Sequence, residues 1–369
     1  MKSVVILMSG GVDSSVAAYL LKKQGYNVIG VTLKFWECKS LSENQKQKCC
    51  SPQDVYDAKN ICSLLGIKHF VLDIGKDFEQ IVINYFCNEY MNGFTPNPCI
   101  VCNKEIKFGL IYEKIKNMFD IDKIATGHYA NILQNGNKYF ISMAKDKIKD
   151  QSYFLSMIGN DNLKNFLFPL GNTTKKEVRD IAQDIGLKVA QKKDSYEICF
   201  IPNNDYREFL SEKGFKINDT GFVVEKTSKK IVGQHLGYTN YTIGQRAGLK
   251  LKKTNKKKYV IEIDSEKNII YVGDEKDLYK KRLIATDVIV YDNLLFDSQI
   301  KDGKDTSKKF YGKIRYKSIL SECKIKLIDD KMVINFTDSQ RAITPGQYVV
   351  VYDDEEKIIC AGKILQSIE

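Results

Sequence analysis

The run Ser9-Gly10-Gly11-Val12-Asp13-Ser14-Ser15 stands between a short β-branched apolar run and a stretch of helical periodicity. Two glycines permit a tight turn and close backbone approach, and the free N–H groups that open a helix point at an anion. Ser9 and Ser14 add hydroxyl donors, and Asp13 adds a carboxylate able to hold Mg²⁺ against phosphates. The chain contains no Gly-x-x-x-x-Gly-Lys-Ser/Thr, and this loop has no lysine of its own. That argues against γ-phosphoryl transfer and for a loop that grips pyrophosphate while ATP is cut between its α and β phosphates. The alternative is a plain Gly-Ser turn.

Thiols form the second set. In Thr95-Pro96-Asn97-Pro98-Cys99-Ile100-Val101-Cys102-Asn103-Lys104, two prolines precede a Cys-x-x-Cys at the start of a helical stretch. A helix N-terminus together with Lys104 and Lys107 is expected to lower the Cys102 thiol pKa and favour the nucleophilic thiolate. The alternative is a buried structural pair. Cys199 lies in Ser195-Tyr196-Glu197-Ile198-Cys199-Phe200, at the end of an expected strand. Ligands bind at the carboxyl ends of parallel strands, so Cys199 either faces the nucleotide or sits in the core. Cys62, Cys87, Cys323 and Cys360 read as core, and Cys38, Cys49 and Cys50 as bystanders in a polar insertion.

Other polar groups fall at strand ends. Gly127, in Thr126-Gly127-His128-Tyr129-Ala130, lets adenosine approach closely. His128 either contacts phosphate or is a satisfied, half-buried histidine. Leu33 ends the second strand, where its backbone can read adenine. Lys149-Asp150-Gln151-Ser152 is a polar loop in which Asp150 serves Mg²⁺ or orients its neighbours, against the alternative of a solvated loop. Lys250–Lys258 holds six lysines in nine residues, a phosphate-binding strip or a solvated loop.

These residues need a scaffold. Strand-like runs Ser3–Met8, Tyr26–Leu33, His69–Leu72 and Lys123–Thr126 alternate with helical ones at Ser14–Gln24, Val55–Leu65, Phe78–Tyr90 and Lys104–Met118. That order predicts a doubly wound parallel sheet of α/β class. The Gln134–Asn137 turn predicts a hairpin. A helix is expected at Asp205–Glu212. Beyond Gly221 come short alternating strands: Tyr259–Ile263, Ile269–Val272, Leu283–Val290, Phe310–Arg315, Cys323–Ile328, Met332–Phe336, Tyr348–Tyr352 and Ile358–Ile364. They predict a C-terminal antiparallel β-barrel or sandwich. The expected domains are residues 1–204, 205–282 and 283–369.

Composition sets the class. The chain has 369 residues, 57 Lys+Arg against 46 Asp+Glu and a formal charge of +11, with 43% hydrophobic and 28% charged residues. Disordered and collagen-like classes are excluded. The longest apolar runs fall far short of the ~20 residues of a membrane span, and no signal peptide is visible, so a cytoplasmic protein without membrane attachment is expected. Ten cysteines in such a chain point to catalytic, redox or metal-binding use and not to a disulfide framework. The excess positive charge suits a nucleic-acid partner.

Ser9–Ser14 resembles the signature of the N-type ATP pyrophosphatases, which adenylate a substrate and release pyrophosphate. Met8–Ser15, Asn97–Phe108, Ala125–Ala130, Lys149–Ser156, Ser195–Phe200, Gly233–Leu249 and Arg341–Gln347 together resemble the tRNA-specific 2-thiouridylase family, in family order and over nearly the whole chain. The resemblance implies a pyrophosphatase domain, a small central tRNA-contacting domain and a C-terminal β-barrel. It implies ATP and Mg²⁺ bound by Leu7, Met8, Ser9, Gly10, Gly11, Val12, Asp13, Ser14, Leu33 and Gly127. It makes Cys102 the nucleophile and Cys199 the carrier of a persulfide loaded by a cysteine desulfurase or sulfur-carrier protein. The implied substrate is the wobble uridine, position 34, of the tRNAs for Lys, Glu and Gln. The implied tRNA and base contacts are Asn97, Pro98, Cys99, Lys149, Asp150, Gln151, Arg315 and Tyr316.

One departure changes the chemistry: many relatives carry Asp where this chain has Cys99. A possible acid/base role of that aspartate cannot be carried over. Cys99, Cys102 and Cys199 could instead supply three thiolates to a [4Fe–4S] cluster with one open iron. Zinc fits less well, since no second Cys-x-x-Cys or nearby histidine completes four ligands. Two rival functions remain at the level of sequence. An adenylating ligase or amidotransferase for a small molecule would need neither cysteine nor tRNA. A non-catalytic RNA-binding protein would bind tRNA without forming AMP.

Overall fold

Val4–Leu7 is buried on both faces, as an unbroken apolar run in a parallel sheet must be. In the computed structural model, which describes residues 2–35, 52–192, 198–201, 205–217, 219–249, 251, 257–292 and 309–368, that run is the middle of a five-stranded sheet. The chain divides into two compact units. The first comprises Met1–Ile83, Cys99–Asn204 and Glu355–Ile358, and the second comprises Asn84–Pro98, Asp205–Asp354 and Ile359–Glu369.

In the first unit the chain alternates strand and helix. It runs β1 (Ser3–Leu7), α1 (Val12–Lys23), β2 (Asn27–Lys34), α2 (Pro52–Leu64), β3 (Lys68–Asp73) and α3 (Gly75–Phe78). A widened, π-type turn at Glu79–Ile83 carries α3 into α4 (Asn84–Met91), which belongs to the second unit. After α5 (Pro98–Val101) comes a π-type stretch, Cys102–Leu110, and then α6 (Ile111–Met118) and β4 (Lys123–Thr126). The expected hairpin is β5 (Asn131–Asn135) with β6 (Lys138–Ser142). The short helix α7 (Ser152–Leu155), the two-residue strand β7 (Phe166–Leu167) and α8 (Lys175–Asp184) complete it.

The sheet order is β3-β2-β1-β4-β7, and every pair is parallel. From β1 the chain builds outward through β2 and β3, then crosses over to place β4 on the other side. The switch point therefore lies between β1 and β4, where the crevice of an open α/β sheet forms. The core on one face joins Val4 and Ile6 of β1 to Val16, Ala17 and Leu21 of α1, Ile61 of α2 and Val178 and Ala182 of α8.

In the second unit, α9 (Tyr206–Glu212) is N-capped by Asp205, whose carboxylate accepts from the Arg207 and Glu208 N–H groups. Then follow β8 (Gly221–Glu225), β9 (Ile231–His235), β10 (Tyr259–Asp264) and β11 (Ile269–Gly273), a sheet of order β10-β11-β8-β9. The barrel is formed by β12 (Tyr279–Val290), β13 (Phe310–Lys313), β14 (Ser321–Ile328), β15 (Lys331–Arg341), β16 (Tyr348–Tyr352) and β17 (Ile358–Ile368). It closes in the order β12-β15-β14-β13-β16-β17 around Leu283, Ile334, Phe336, Val349, Val351 and Ile364. Among the described residues no helix is long and apolar enough to cross a membrane.

Two elements differ from the sequence reading. The helix of Cys102 begins at Pro98, so Cys102 lies a full turn inside it. The apolar run Ile198–Ile201, read as a strand end, is a turn closed by the Ile201 N–H on the Ile198 carbonyl at 3.1 Å. Short apolar runs carry no period that separates strand from turn.

Candidate active site

The loop after β1 folds back on itself. The Ser9 N–H donates to Ser14 Oγ at 3.2 Å, and the Ser14 and Ser15 hydroxyls donate to the Gly11 carbonyl at 3.2 and 2.7 Å. Ser9 and Ser14 Oγ also lie 3.2 Å apart. Two glycines make this shape possible. Gly10 has φ +70°, and a Cβ there would stand 2.3 Å from the Asp54 carbonyl oxygen. At the end of β4, a Cβ on Gly127 would stand 2.7 Å from Ser14 N. The end of β4 is thus pressed against the first turn of α1, and the loop after β1 against α2.

The loop lacks a lysine, but the fold supplies two. Lys175, the first residue of α8, donates to both Asp13 carboxylate oxygens at 2.8 Å, and the Tyr129 hydroxyl donates to Asp13 Oδ1 at 2.7 Å. Lys192 donates to the Gly10 carbonyl at 3.2 Å, Asp54 Oδ1 at 2.7 Å and Asp57 Oδ2 at 3.0 Å. Burial pulls the Lys192 ammonium down, but the two carboxylates more than offset it and hold its pKa above the ordinary lysine value. Sequence reasoning missed Lys175, Lys192, Asp54 and Asp57. One signal was available: Thr174 and Glu177 form a capping box that starts α8 and fixes where Lys175 points.

A continuous path runs from this loop to the thiols. Tyr129 holds Asp13 with its hydroxyl and grips Gln151 with its backbone: the Gln151 N–H donates to the Tyr129 carbonyl at 2.7 Å, and Gln151 Oε1 accepts from the Tyr129 N–H at 3.0 Å. Gln151 immediately precedes α7. The Phe154 carbonyl of α7 accepts from Asn103 Nδ2 at 3.0 Å, and Asn103 Oδ1 accepts from Lys107 Nζ at 3.0 Å. Asn103 is the neighbour of Cys102.

Cys102 is buried, whereas Cys99 and Cys199 keep open surface. The three thiols are near enough to influence one another's ionisation. Burial pushes the Cys102 thiol up to about 11 despite the Lys107 ammonium. Cys99 rises to about 12, first through burial and then through Cys199 and Cys102. The expected lowering of the Cys102 pKa is therefore corrected. The thiol sits a turn inside its helix, Lys104 is paired with Glu105 at 3.0 Å, Lys107 is bound to Asn103, and desolvation outweighs what remains of their field. Cys199 stands at the first corner of the Ile198–Ile201 turn, anchored by Phe200. That buried ring packs edge-on against Phe78 of α3 at 5.6 Å, and α3 packs on the π-type stretch that starts at Cys102.

Other sequence-derived candidates take definite places. Asp150 is buried, and its carboxylate accepts from the Ala144 N–H, the Ser152 N–H and the Ser152 hydroxyl. It shapes the loop that carries Lys149 and Gln151. His128 shares a 2.7 Å hydrogen bond with Thr126 and lies among Phe108 and Phe168, and burial and then Lys107 drive its pKa well below the usual histidine value. It is therefore a neutral, half-buried ring. Asn97 and Pro98 are buried just ahead of Cys99, and Leu33 is buried at the end of β2 beside β1. Leu7 and Met8 are buried as they enter the loop.

In the second unit, Arg315 donates to the Arg341 and Ala342 carbonyls at 2.6 and 2.8 Å, which ties a barrel loop together, and Lys313 stands 5.7 Å from the Tyr316 ring. Lys258, the end of the lysine run, is bound to Glu225 and Asp274, while residues 250 and 252–256 of that run lie outside the described residues. So do Cys38, Cys49, Cys50 and Ser195–Glu197.

Among the described residues no three His, Cys, Asp or Glu side chains are grouped to hold a metal. Both Asp13 oxygens accept from the Lys175 ammonium.

Residues 2–203 match the family model described as the tRNA methyl transferase HUP domain. Residues 207–274 match the tRNA methyl transferase PRC-barrel domain, and residues 292–364 the aminomethyltransferase beta-barrel domain. The tRNA-specific 2-thiouridylase MnmA of Clostridium acetobutylicum is 42% identical over 99% of this chain and 99% of its own. Its counterpart in Leptospira interrogans is 41% identical over 98% of this chain and 94% of its own. That of Halothermothrix orenii is 42% identical over 99% of each.

Proposed function

The chain belongs to the tRNA-specific 2-thiouridylase family, and on that premise we propose that it uses ATP to replace the 2-oxygen of the wobble uridine of tRNA by sulfur. The observation that carries this reading is the hydrogen-bonded path Asp13–Tyr129–Gln151–α7–Asn103, which joins the phosphate loop to the helix of Cys102. A small-molecule ligase has no use for a thiol pair wired to its nucleotide site.

The loop N–H groups and the Ser9 and Ser14 hydroxyls receive the phosphates, with Lys175 and Lys192 holding the loop's shape. The target base leaves its stack to reach the site. Its O2 attacks the α-phosphorus, which forms an O-adenylated uridine and pyrophosphate and turns an unreactive oxygen into a leaving group. Gln151, whose side chain is fixed by the Tyr129 N–H, is assigned the orientation of the base. Cys199, at an exposed turn, is accessible to a sulfur-donating protein and carries the incoming sulfur as Cys199–S–SH. The terminal sulfur attacks C2 and AMP departs. Cys102 Sγ then attacks Cys199 Sγ, which leaves 2-thiouridine and a Cys102–Cys199 disulfide. Cys102 acts only in this second step, so its burial as a protonated thiol guards it until an electrophilic sulfur is beside it. The tRNAs for Lys, Glu and Gln are the substrates this reading assigns.

One reaction tests it: protein whose Cys199 has been loaded with persulfide by a cysteine desulfurase and free cysteine, ATP, Mg²⁺ and an unmodified tRNA-Glu transcript, run on a mercury-containing gel and assayed for AMP. Retarded tRNA, with AMP formed only when tRNA is present, is the expected result. ATP turnover without need of tRNA or of Cys199 would sink the reading.

A further inference from the structure

The mechanism above uses two thiols, yet the site holds three. Cys99 precedes Cys102 by one helical turn, and it keeps open surface while Cys102 is buried. We propose that Cys99 is the resolving thiol of this site, a role that rests on the thiolation reading. Once Cys102 and Cys199 are joined, Cys99 attacks Cys102 Sγ. A Cys99–Cys102 disulfide forms, the Cys102–Cys199 bond breaks, and the Cys99 proton ends on Cys199. The exchange is redox-neutral and returns Cys199 as a thiol ready to be reloaded. An external dithiol or small-molecule thiol then reduces Cys99–Cys102 with two electrons and two protons.

Geometry favours this partner. Residues three apart on a helix face one another with about 5–6 Å between Cβ atoms, and a disulfide needs about 3.5–4.5 Å. A closure of about 1–2 Å suffices, and the site lies where the backbone is least regular: after two prolines, in the first turn of α5, with π-type turns from Cys102 onward. Phe200, the neighbour of Cys199, packs on Phe78 of α3, α3 packs on the π-type stretch that starts at Cys102, and the Cys199 thiol acts electrostatically on both Cys99 and Cys102. The relay also answers an access problem. A Cys102–Cys199 bond has one sulfur buried and blocks the carrier thiol. A Cys99–Cys102 bond leaves Cys199 clear.

The test needs no variant. Persulfide-loaded protein is given ATP, Mg²⁺ and tRNA without reductant for one turnover, quenched in acid, alkylated and peptide-mapped. The expected product is a Cys99–Cys102 disulfide with Cys199 alkylated. A Cys102–Cys199 disulfide with Cys99 alkylated overturns the relay while leaving thiolation intact. Iron bound by the three cysteines in anaerobically purified protein overturns it too, since the thiols would then be ligands. If no tRNA is thiolated, the relay falls together with the reading beneath it. As a second measurement, Cys99→Ser is expected to stop at Cys102–Cys199, and its turnover after the first to drop about tenfold at limiting reductant. Its single-turnover rate, measured separately, reads any effect on base binding apart from recycling.

Discussion

Replacing Lys175 by Met removes the ammonium that shapes the phosphate loop. Lys175 Nζ lies 2.8 Å from both Asp13 oxygens, and the two side chains are 11% and 33% exposed. Exposed ion pairs are worth about 0–1 kcal/mol, and breaking a fully buried one costs about 3–5 kcal/mol. A pair of intermediate burial with two charge-assisted bonds falls near 2 kcal/mol. If that energy is spent holding the loop ready for phosphate, ATP affinity drops about 30-fold. Asp13, left to Tyr129 alone, would also face the nucleotide as an unneutralised charge. Adding Asp13→Asn to the Lys175→Met variant is therefore expected to recover part of the lost affinity, with a coupling energy of about 2 kcal/mol in the double-mutant cycle. Calorimetric titration of ATP into the four proteins measures it, with thermal unfolding as the control for folding. A coupling below about 0.5 kcal/mol would refute the view that this pair organises the loop.

The other outcomes concern backbone, protons and thiols. Gly127→Ala drives a methyl to 2.7 Å from Ser14 N, where only backbone can give way, so a loss of about 1–3 kcal/mol in stability and of nucleotide binding is expected by denaturation and titration. An unchanged ATP affinity would mean that the end of β4 is not held against the first turn of α1. His69, His128 and His235 all have pKa values lowered first by burial, so the folded state binds each proton more weakly than the unfolded chain does. Nothing is lost while both states are neutral, and stability falls once the unfolded histidines protonate below about pH 6.5. Thermal unfolding from pH 7 to pH 5 should show this, and a His128→Gln variant that falls as steeply as the parent would remove His128 from the explanation. Cys102, with its thiol pushed up to about 11, is expected to resist iodoacetamide at pH 7.5 and to gain about tenfold in rate per pH unit up to pH 10. Mass-spectrometric labelling that finds Cys102 fast at neutral pH would show an activated thiolate instead.

The scaffold was legible because its signals are local. Lys123–Thr126 is a strand with the bounds read from sequence, flanked by the turn that carries Gly127. The Ser-Gly-Gly-x-Asp-Ser run lies between β1 and α1, as its glycines and hydroxyls require. The barrel strands follow the alternation of apolar residues, although β12 and β15 run several residues past it because pairing in a closed barrel continues where side chains no longer alternate. What stayed hidden is tertiary. Lys175 and Lys192 reach partners 162 and 182 residues away, and no local pattern reports that. The direction of the Cys102 shift was misread for the same reason. A helix start and two lysines can be seen in sequence, but desolvation cannot. Helix widening from Cys102 to Leu110 likewise leaves no mark on hydrophobic periodicity.

The charges around the loop explain why the missing lysine matters less than it first appears to. A lysine inside the loop would meet the terminal phosphates directly. Here two lysines are instead committed to three aspartates, Asp13, Asp54 and Asp57, which leaves one excess negative charge beside a helix N-terminus. Among the described residues, the two lysines that reach the loop are both opposed by carboxylates, and the loop offers an anion its N–H groups and hydroxyls. Metal-free ATP would be repelled, whereas a nucleotide arriving with its own divalent cation meets a near-balanced site that Asp13 can join if Lys175 yields an oxygen. Discrimination then falls to geometry, to the approach that Gly10 and Gly127 permit, and geometry of that kind suits a loop that must hold the departing pyrophosphate while the α-phosphorus stays open to an oxygen from the other side.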